Sequence, residues 1–580
     1  MPDNAVPLVA LVVGPTAALL LGEGVDEHVP LEALVERVAS VTATTRPRWV
    51  VWSAASTLRP VVDARVDVPR TWDLAEAHRL VNGGWRATPG HVVAACRGLP
   101  EAEVPRPRAP RLSGFDGDLF DVVAGDDPSL WTTDAHLRPD ALAWASTPAR
   151  LRELAELALE CQAAQRDSLA RIAGAAVARL ERTVWSESAA AVLCLELERD
   201  GLPVDRPAAE GLIAAAAGPR PADDADAARI RARRDQDVLR HAPGRAVADL
   251  RNPGQVRELL QSVGVDVPNT RAFVLEPYRH THPFVDALLR WRKDERIATT
   301  YGYRWLDDHV GADDRLRGGW TACDGAAGRM TAQNGLHNLP APLRPAVAAA
   351  PGHVFVRADL GQVEPRVLAV VSADRAFAEA TRADDLYAPV AAKLGADRPT
   401  AKVAVLAAMY GQRSGPAGEA LKDLERAYPV AMGLLDRAYA DGIARRPVRT
   451  YGGRLIRFGA PGVTPQGLEP GEDALAGGAS AAADAGRGRY ARNAIIQGSA
   501  AELFKAWAAT VRHAVAPLGG QIVLCLHDEL LVHVPEEHAE QAAATVGTAL
   551  TSAARTWAGT DAVRFVADTS VVRRWSEAKG

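Results

Sequence analysis

Residues 522–534 read IVLCLHDELLVHV, and this stretch decides how the rest of the chain is read. Apolar residues run from Ile522 to Leu526, the polar triplet His527, Asp528 and Glu529 interrupts them, and Leu530 to Val534 resume, broken by His533. Two short β-prone runs around a polar tip predict a hairpin. Upstream, residues 353–369 read HVFVRADLGQVEPRVLA. Val354 to Ala358 predict a strand with Val354, Val356 and Ala358 on one face. Asp359 stands at its end, and Gln362, Glu364 and Arg366 open a helix. Carboxylates at a strand end and at a hairpin tip can converge on divalent ions. Mg²⁺ binds through one or two carboxylates plus substrate phosphates, and a pair of such ions clamps both oxygens of a phosphoryl transfer.

Between these segments, residues 398–411 read RPTAKVAVLAAMYG, with Arg398, Lys402, Leu406, Met409 and Tyr410 at helical spacing. The chain has six lysines (Lys293, Lys393, Lys402, Lys422, Lys505 and Lys579) among 67 Lys+Arg, so a lysine one turn after an arginine stands out. The pair suits a polyphosphate, arginine as a fork and lysine as a point charge. A solvated basic helix face is the alternative.

In this order the three segments resemble the polymerase motifs of the family A DNA polymerases, the bacterial DNA polymerase I type. DLGQVEPR (359–366) resembles D-Y-S-Q-I-E-L-R, Arg398, Lys402, Tyr410 and Gly411 match R-x3-K-x7-Y-G, and His527, Asp528 and Glu529 match H-D-E. GRMTAQNGLHNLP (328–340), TYGGRLIRF (450–458) and RYARNAIIQGSAAELFK (489–505) resemble three flanking family segments. The resemblance covers roughly residues 185–580.

The resemblance implies a multidomain protein of α/β and α+β class. It would be a right-hand polymerase preceded by an RNase H-like, exonuclease-type α/β domain at 1–180. A thumb is expected at 185–314, palm at 315–373 and 490–580, and fingers at 374–489. Asp359 and Asp528 would hold two Mg²⁺, with Mn²⁺ a possible substitute, and Glu529 and Lys402 would complete the catalytic set. Arg398, Lys402, Leu406, Tyr410, Glu364, Gln362 and His527 would contact the nucleotide, Glu364 by excluding a 2′-hydroxyl. Arg329, Asn338, Arg489, Asn493 and Gln497 would contact DNA. Leu406 stands where the family carries an aromatic residue, Leu360 replaces a tyrosine, and Pro365 and His337 also depart from the pattern. The implied partners are primer–template DNA and dNTPs, with no membrane, for a monomer in the cytoplasm at the nucleoid. Repair or gap filling is the implied role.

The implied exonuclease domain lacks its chemistry. The family uses D-x-E on the first strand, N-x3-D and Y-x3-D. Here VALVVG and AALLLG carry no D-x-E, and the other places read Trp52–Ser56 and Cys161–Gln165. Asp73 resembles a remnant of a neighbouring phrase. Without carboxylates no two-metal hydrolysis is expected. No 5′-nuclease domain is expected either, since the chain starts at this fold. Two rival readings are a weak DNA-binding relic and a two-metal nuclease. Asp359, Asp528, Arg398 and Lys402 speak against the first, and the R-x3-K helix has no use in the second.

Composition agrees with a globular protein of several domains: 580 residues, 48% hydrophobic and 24% charged. The net charge of −5 runs against nucleic-acid binding. Arg445, Arg446, Arg449, Arg454 and Arg457 offer a local positive field that could track phosphates. Five scattered cysteines without C-x-x-C spacing fit a reducing compartment. The apolar start reads as two strands joined by a turn at Gly14-Pro15, and no apolar run is long enough to span a membrane. A long helix is expected from about 185, where WSESAAAVLCLELERDGLPVD and then LRNPGQVRELLQSVGV (250–265) resemble thumb phrases. Residues 217–245 read as a mobile segment, and 461–486 as a low-complexity loop.

Overall fold

The computed structural model describes residues 6–106, 129–242, 248–411, 416–458 and 479–578. Two compact units emerge. One comprises Met1–Arg199, Trp320–Thr331 and Val356–Ser570; the other comprises Asp200–Gly319, Ala332–Phe355 and Val571–Gly580.

The first unit begins with a five-stranded sheet of β1 (Leu8–Val13), β2 (Ala17–Gly22), β3 (Val25–Pro30), β4 (Arg48–Val51) and β5 (Thr71–Asp73), in the order β3-β2-β1-β4-β5. The expected two strands are joined by a third. β1, β2 and β3 form an antiparallel meander, while β4 and β5 join β1 in parallel. β1 is buried on both faces. Ala10 and Val12 pack in one cluster with Trp52 and with Leu154, Ala158 and Cys161 of helix α1 (Pro148–Ala173). Val9 and Leu11 pack in the other, with Val38 and Val41. Helix α2 (Val177–Asp200) starts about two turns before the expected helix.

A second sheet holds β6 (His353–Leu360), β7 (Gln521–Leu526), β8 (Glu529–Pro535) and β9 (Ala567–Val572), in the order β7-β8-β6-β9. β7 and β8 form the predicted hairpin, with a register shift between Ile522 and Leu524 and with Leu526 opposite Glu529. Only His527 and Asp528 turn the chain. Such a tight loop requires positive φ at its first residue, and His527 adopts 52°. The interior of β6 is buried from Val354 to Ala358, so both faces are covered rather than the single face expected. Helices α3 (Val363–Ser372), α4 (Arg398–Tyr410), α5 (Ala479–Val515) and α6 (Ala539–Ala558) complete the part that matters for function.

The second unit is mainly helical, with helices Arg206–Ala217, Asp224–Leu239, Pro253–Ser262 and Pro283–Thr300. Val238, Leu259, Phe284, Leu288 and Trp291 are part of its core. Asn252 caps the third helix by accepting from the backbone N–H groups of Gly254 and Gln255. Arg251 binds Asp235 and Glu295, each at 2.7 Å.

Three expectations are corrected. Residues 224–239 of the supposed mobile segment are helix, begun by Asp223 accepting from the Asp226 N–H. Helix α5 starts at Ala479, inside the supposed loop, whose residues 459–478 lie outside the described residues. The arginine-rich run is largely consumed by the fold itself. Arg454 is buried against Glu187 (2.7 Å), Arg449 donates to the carbonyls of Val81 and Gly453, and Arg446 and Arg457 pair with Asp441 and Glu101. No helix among the described residues is long and apolar enough to cross a membrane.

Candidate active site

β6 and the β7–β8 turn bring Asp359 and Asp528 to one end of the second sheet, the edge formed by its strand ends. The Leu360 N–H donates to the Asp528 carbonyl at 3.0 Å, which ties the two places together. Burial pushes the Asp359 carboxyl up to about 6; Arg357 opposes this, and Glu529, Asp528 and Asp568 add to it. Burial also raises Asp528, with Arg329 opposing. Neither Asp528 oxygen nor Oδ1 of Asp359 accepts a hydrogen bond among the described residues. Two crowded, half-buried carboxylates with open oxygens are a donor set that fits a hard divalent cation. Among the described residues no group of three or more His, Cys, Asp or Glu could hold a metal. A site completed by substrate phosphates needs no such cage.

Arg357 escaped the sequence reading. It is buried, and its guanidinium donates to Asp359 Oδ2 and to Glu529 Oε2, each at 2.9 Å, and reaches Asp568 at 3.4 Å. An arginine inside the apolar run VFVRADL, two residues before Asp359 and so on the same strand face, is the signal that could have found it. Glu529 Oε2 accepts from both Nε and Nη2 of this arginine.

α3 fixes the next residues. Gln362 caps it at a φ of 56°. Its side-chain amide donates to Asp385 at 2.7 Å and its carbonyl oxygen accepts the Leu386 N–H at 2.9 Å. Asp385 also pairs with Arg398 at the start of α4, so a carboxylate that was not expected links the two motifs. Arg366 is fully buried and has no carboxylate partner among the described residues. It donates to the carbonyls of Gly361, Thr381, Ala383, Asp384 and Arg564, and burial lowers its pKa to about 10. The motif arginine is therefore a scaffold for the loop that carries Asp385.

Tyr410, at the last turn of α4, donates to Glu364 at 3.3 Å. Burial raises both groups, Tyr410 to about 12. Lys402 is exposed and Leu406 half-buried on the same helix. Gly411 closes α4 in the left-handed region, and a side chain there would collide with Arg489. Asn493 and Gln497 lie on α5, and Asn493 Oδ1 is buried without a partner among the described residues. Arg329 is exposed at the start of the strand Arg329–Ala332. Asn338 belongs to the second unit, where its carbonyl accepts from Tyr301 (2.8 Å) and Arg296 (3.2 Å).

The segments around 450–458 and 489–505 supply structure. Glu187 of α2 is fully buried between Lys505 (2.6 Å) and Arg454 (2.7 Å). Glu502 accepts from the Thr450 hydroxyl and the Gly452 N–H, and burial raises it to about 7. Beside the N-terminal sheet, Ser56 of the short helix Ala54–Thr57 is exposed and donates to the Ser53 carbonyl. Gln165 is buried, accepting from Trp72 and donating to the Leu74 carbonyl. Asp73 is spent as a helix cap, accepting from the N–H groups of Ala54, Ala75 and Glu76.

Comparison with known proteins agrees with this layout. The sequence model described as DNA polymerase family A matches residues 249–577. DNA polymerase I of Chloroflexus aurantiacus is 30% identical over 307 residues, 49% of this chain and 32% of the relative. The thermostable DNA polymerase I of Thermus filiformis is 28% identical over 342 residues, 54% of this chain and 38% of the relative. The matched region thus spans about a third of these relatives. A solved structure described as the POL domain of Pol1 from M. smegmatis in complex with DNA primer-template and dNTP aligns with a TM-score of 0.67 at 21% identity, covering 99% of this chain and 97% of that one. With a family match over more than half of its length, the chain belongs to DNA polymerase family A.

Proposed function

We propose that the chain is a template-directed DNA polymerase that adds deoxynucleotides to a primer 3′ end. The observation that carries this reading is the convergence of Asp359 and Asp528 at one sheet edge, through the 3.0 Å bond from Leu360 N–H to the Asp528 carbonyl. Family membership and the partners named for the M. smegmatis complex support it. On this reading residues 315–373 and 490–580 act as palm, 374–489 as fingers, 185–314 as thumb, and 1–180 as an exonuclease-like scaffold.

Asp359 and Asp528 would hold two Mg²⁺, or Mn²⁺ in their place. The ions would lower the pKa of the primer 3′-hydroxyl and neutralise the triphosphate. Arg398 and Lys402 bind the β- and γ-phosphates, and Lys402 can protonate the departing pyrophosphate. Arg398 must first leave Asp385, which thereby acts as a placeholder for phosphate. Glu364, held by Tyr410, lies beneath the sugar and disfavours a 2′-hydroxyl. Gln362 and His527 position the sugar and primer end, and Leu406 packs against the nucleotide with less stacking area than an aromatic. Arg329, Asn338, Arg489, Asn493 and Gln497 follow the primer–template, where minor-groove acceptors common to correct pairs allow a test of shape. The packing of Ala10 and Val12 against Cys161 supports a chain without proofreading. We assign the enzyme to repair or gap filling, acting as a monomer in the cytoplasm at the nucleoid.

Primer extension with Mg²⁺ and dNTPs tests the proposal. Asp359→Ala and Asp528→Ala should each abolish extension while retaining primer–template binding in a gel-shift assay. Full extension by either variant would refute the assignment.

A further inference from the structure

Away from Asp359 and Asp528, the first unit carries an open cavity of about 440 Å³ that four arginines line. One wall is α2. Arg179, Arg182 and Ser186 stand at three- and four-residue spacing and so share a face. Arg48, at the start of β4, and Arg70, just before β5, also line the cavity, as does Trp557 of α6. No Asp or Glu is among the lining residues. In a chain of net charge −5, four arginines around one cavity without an acid is a local reversal of sign.

Three donor atoms of the lining residues lack an acceptor among the described residues. Arg179 Nε, Arg182 Nε and Trp557 Nε1 are buried and have no hydrogen-bond partner among the described residues. Trp557 is 4% exposed. Buried donors are ordinarily satisfied; these three are closed to solvent, while Arg179 and Arg182 are only half-buried overall, so other atoms of their side chains remain accessible. The donors are also held in place. The Arg179 guanidinium lies 3.9 Å from the Tyr451 ring centroid, and Tyr451 packs on Trp557 at 4.9 Å. Arg48 lies over Trp185 at 4.3 Å. Ala506 and Ala509 of α5 and Ala553 of α6 add small apolar side chains to the lining. Small side chains on two helices leave a slot, and a slot with aromatic neighbours suits a flat ring. The volume lies in the range of small-molecule sites, about 300–1,000 Å³.

We propose that this cavity binds a nucleoside monophosphate, free or as the terminal nucleotide of a strand. The phosphate would accept from the arginine forks, and the base would occupy the slot beside Trp557. The site is separate from the triphosphate-binding helix α4, and it gives the N-terminal sheet a binding role that needs no nuclease carboxylate.

Calorimetric titration of the full chain in EDTA tests this with four probes: dAMP, deoxyadenosine, orthophosphate and a 5′-phosphorylated trinucleotide. The expected result is saturable binding of dAMP or of the trinucleotide, tighter than either deoxyadenosine or orthophosphate. Binding of dAMP identifies the free nucleotide as the source, and binding of the trinucleotide alone identifies a strand end. The double variant Arg179→Gln/Arg182→Gln should weaken that binding by about tenfold or more, with primer extension unchanged. Ser552→Trp, at an exposed position on the rim, keeps every arginine and should block the slot, so a folding defect in the double variant leaves the test intact. The proposal is overturned by the absence of saturable binding, by orthophosphate binding as tightly as the nucleotide, or by undiminished binding in folded variants.

Discussion

The two sheets of the first unit each run a buried strand through the core, and they end in opposite ways. In the N-terminal sheet, β1 places Ala10 and Val12 against Trp52 and Cys161, and the interior is closed with apolar atoms. In the second sheet, β6 emerges from an equally buried run to present Asp359 beside Asp528, with oxygens open to a ligand. The difference teaches where a carboxylate can stay ready for a cation. It must stand at a sheet edge, partly wet, with one counter-charge nearby; here Arg357 supplies that charge. A carboxylate drawn fully inside must be answered within the protein, as Glu187 is by Lys505 and Arg454.

Forcing a carboxylate into the closed sheet should give the largest effect. Val12→Asp would bury an unanswered charge at a position now 1% exposed. Urea denaturation should show a loss of about 3–5 kcal/mol. A variant that kept its stability and gained metal-dependent 3′ shortening would show that the interior is a latent nuclease site. Glu502 is next. Its folded pKa of about 7 lies above the ordinary 4.5, so the folded protein holds this proton more tightly than the unfolded chain. The group's contribution to stability is present below pH 4.5 and is lost as pH rises through about 7. By linkage this amounts to about 3 kcal/mol. Glu502→Gln should flatten that part of the stability profile, and an unchanged profile would assign the loss to other groups. Arg357→Met probes the open edge. Removing a cation 2.9 Å from Asp359 Oδ2 should tighten Mg²⁺ binding by about tenfold, read by calorimetry without DNA or nucleotide. Weaker Mg²⁺ binding would show that Arg357 serves to position Asp359 instead.

The hairpin, the strand before Asp359 and helix α4 were legible because their patterns are local: apolar runs, a polar tip and helical spacing. The N-terminal strands were legible for the same reason. What stayed hidden depends on contacts between distant segments. Asp385 bridges Gln362 and Arg398, and Arg366 gathers carbonyls from 361 to 564, which no local period encodes. The arginines at 446–457 show the converse error. Sequence displays their charge but not their burial, and Arg454 turns inward because Glu187 waits there. The helix at 224–239, in a stretch that reads as mobile, follows from the strong helix propensity of alanine and arginine and from the cap at Asp223.

The central claim is that the open edge builds DNA while the closed sheet does not degrade it. A 5′-labelled primer on a template, incubated with Mg²⁺ in the presence or absence of dNTPs, reads both at once. The account predicts lengthening to the template end with dNTPs, an unchanged primer without them, and neither change in Asp359→Ala. Shortening without dNTPs that persists in Asp359→Ala, or lengthening that persists in that variant, would contradict it.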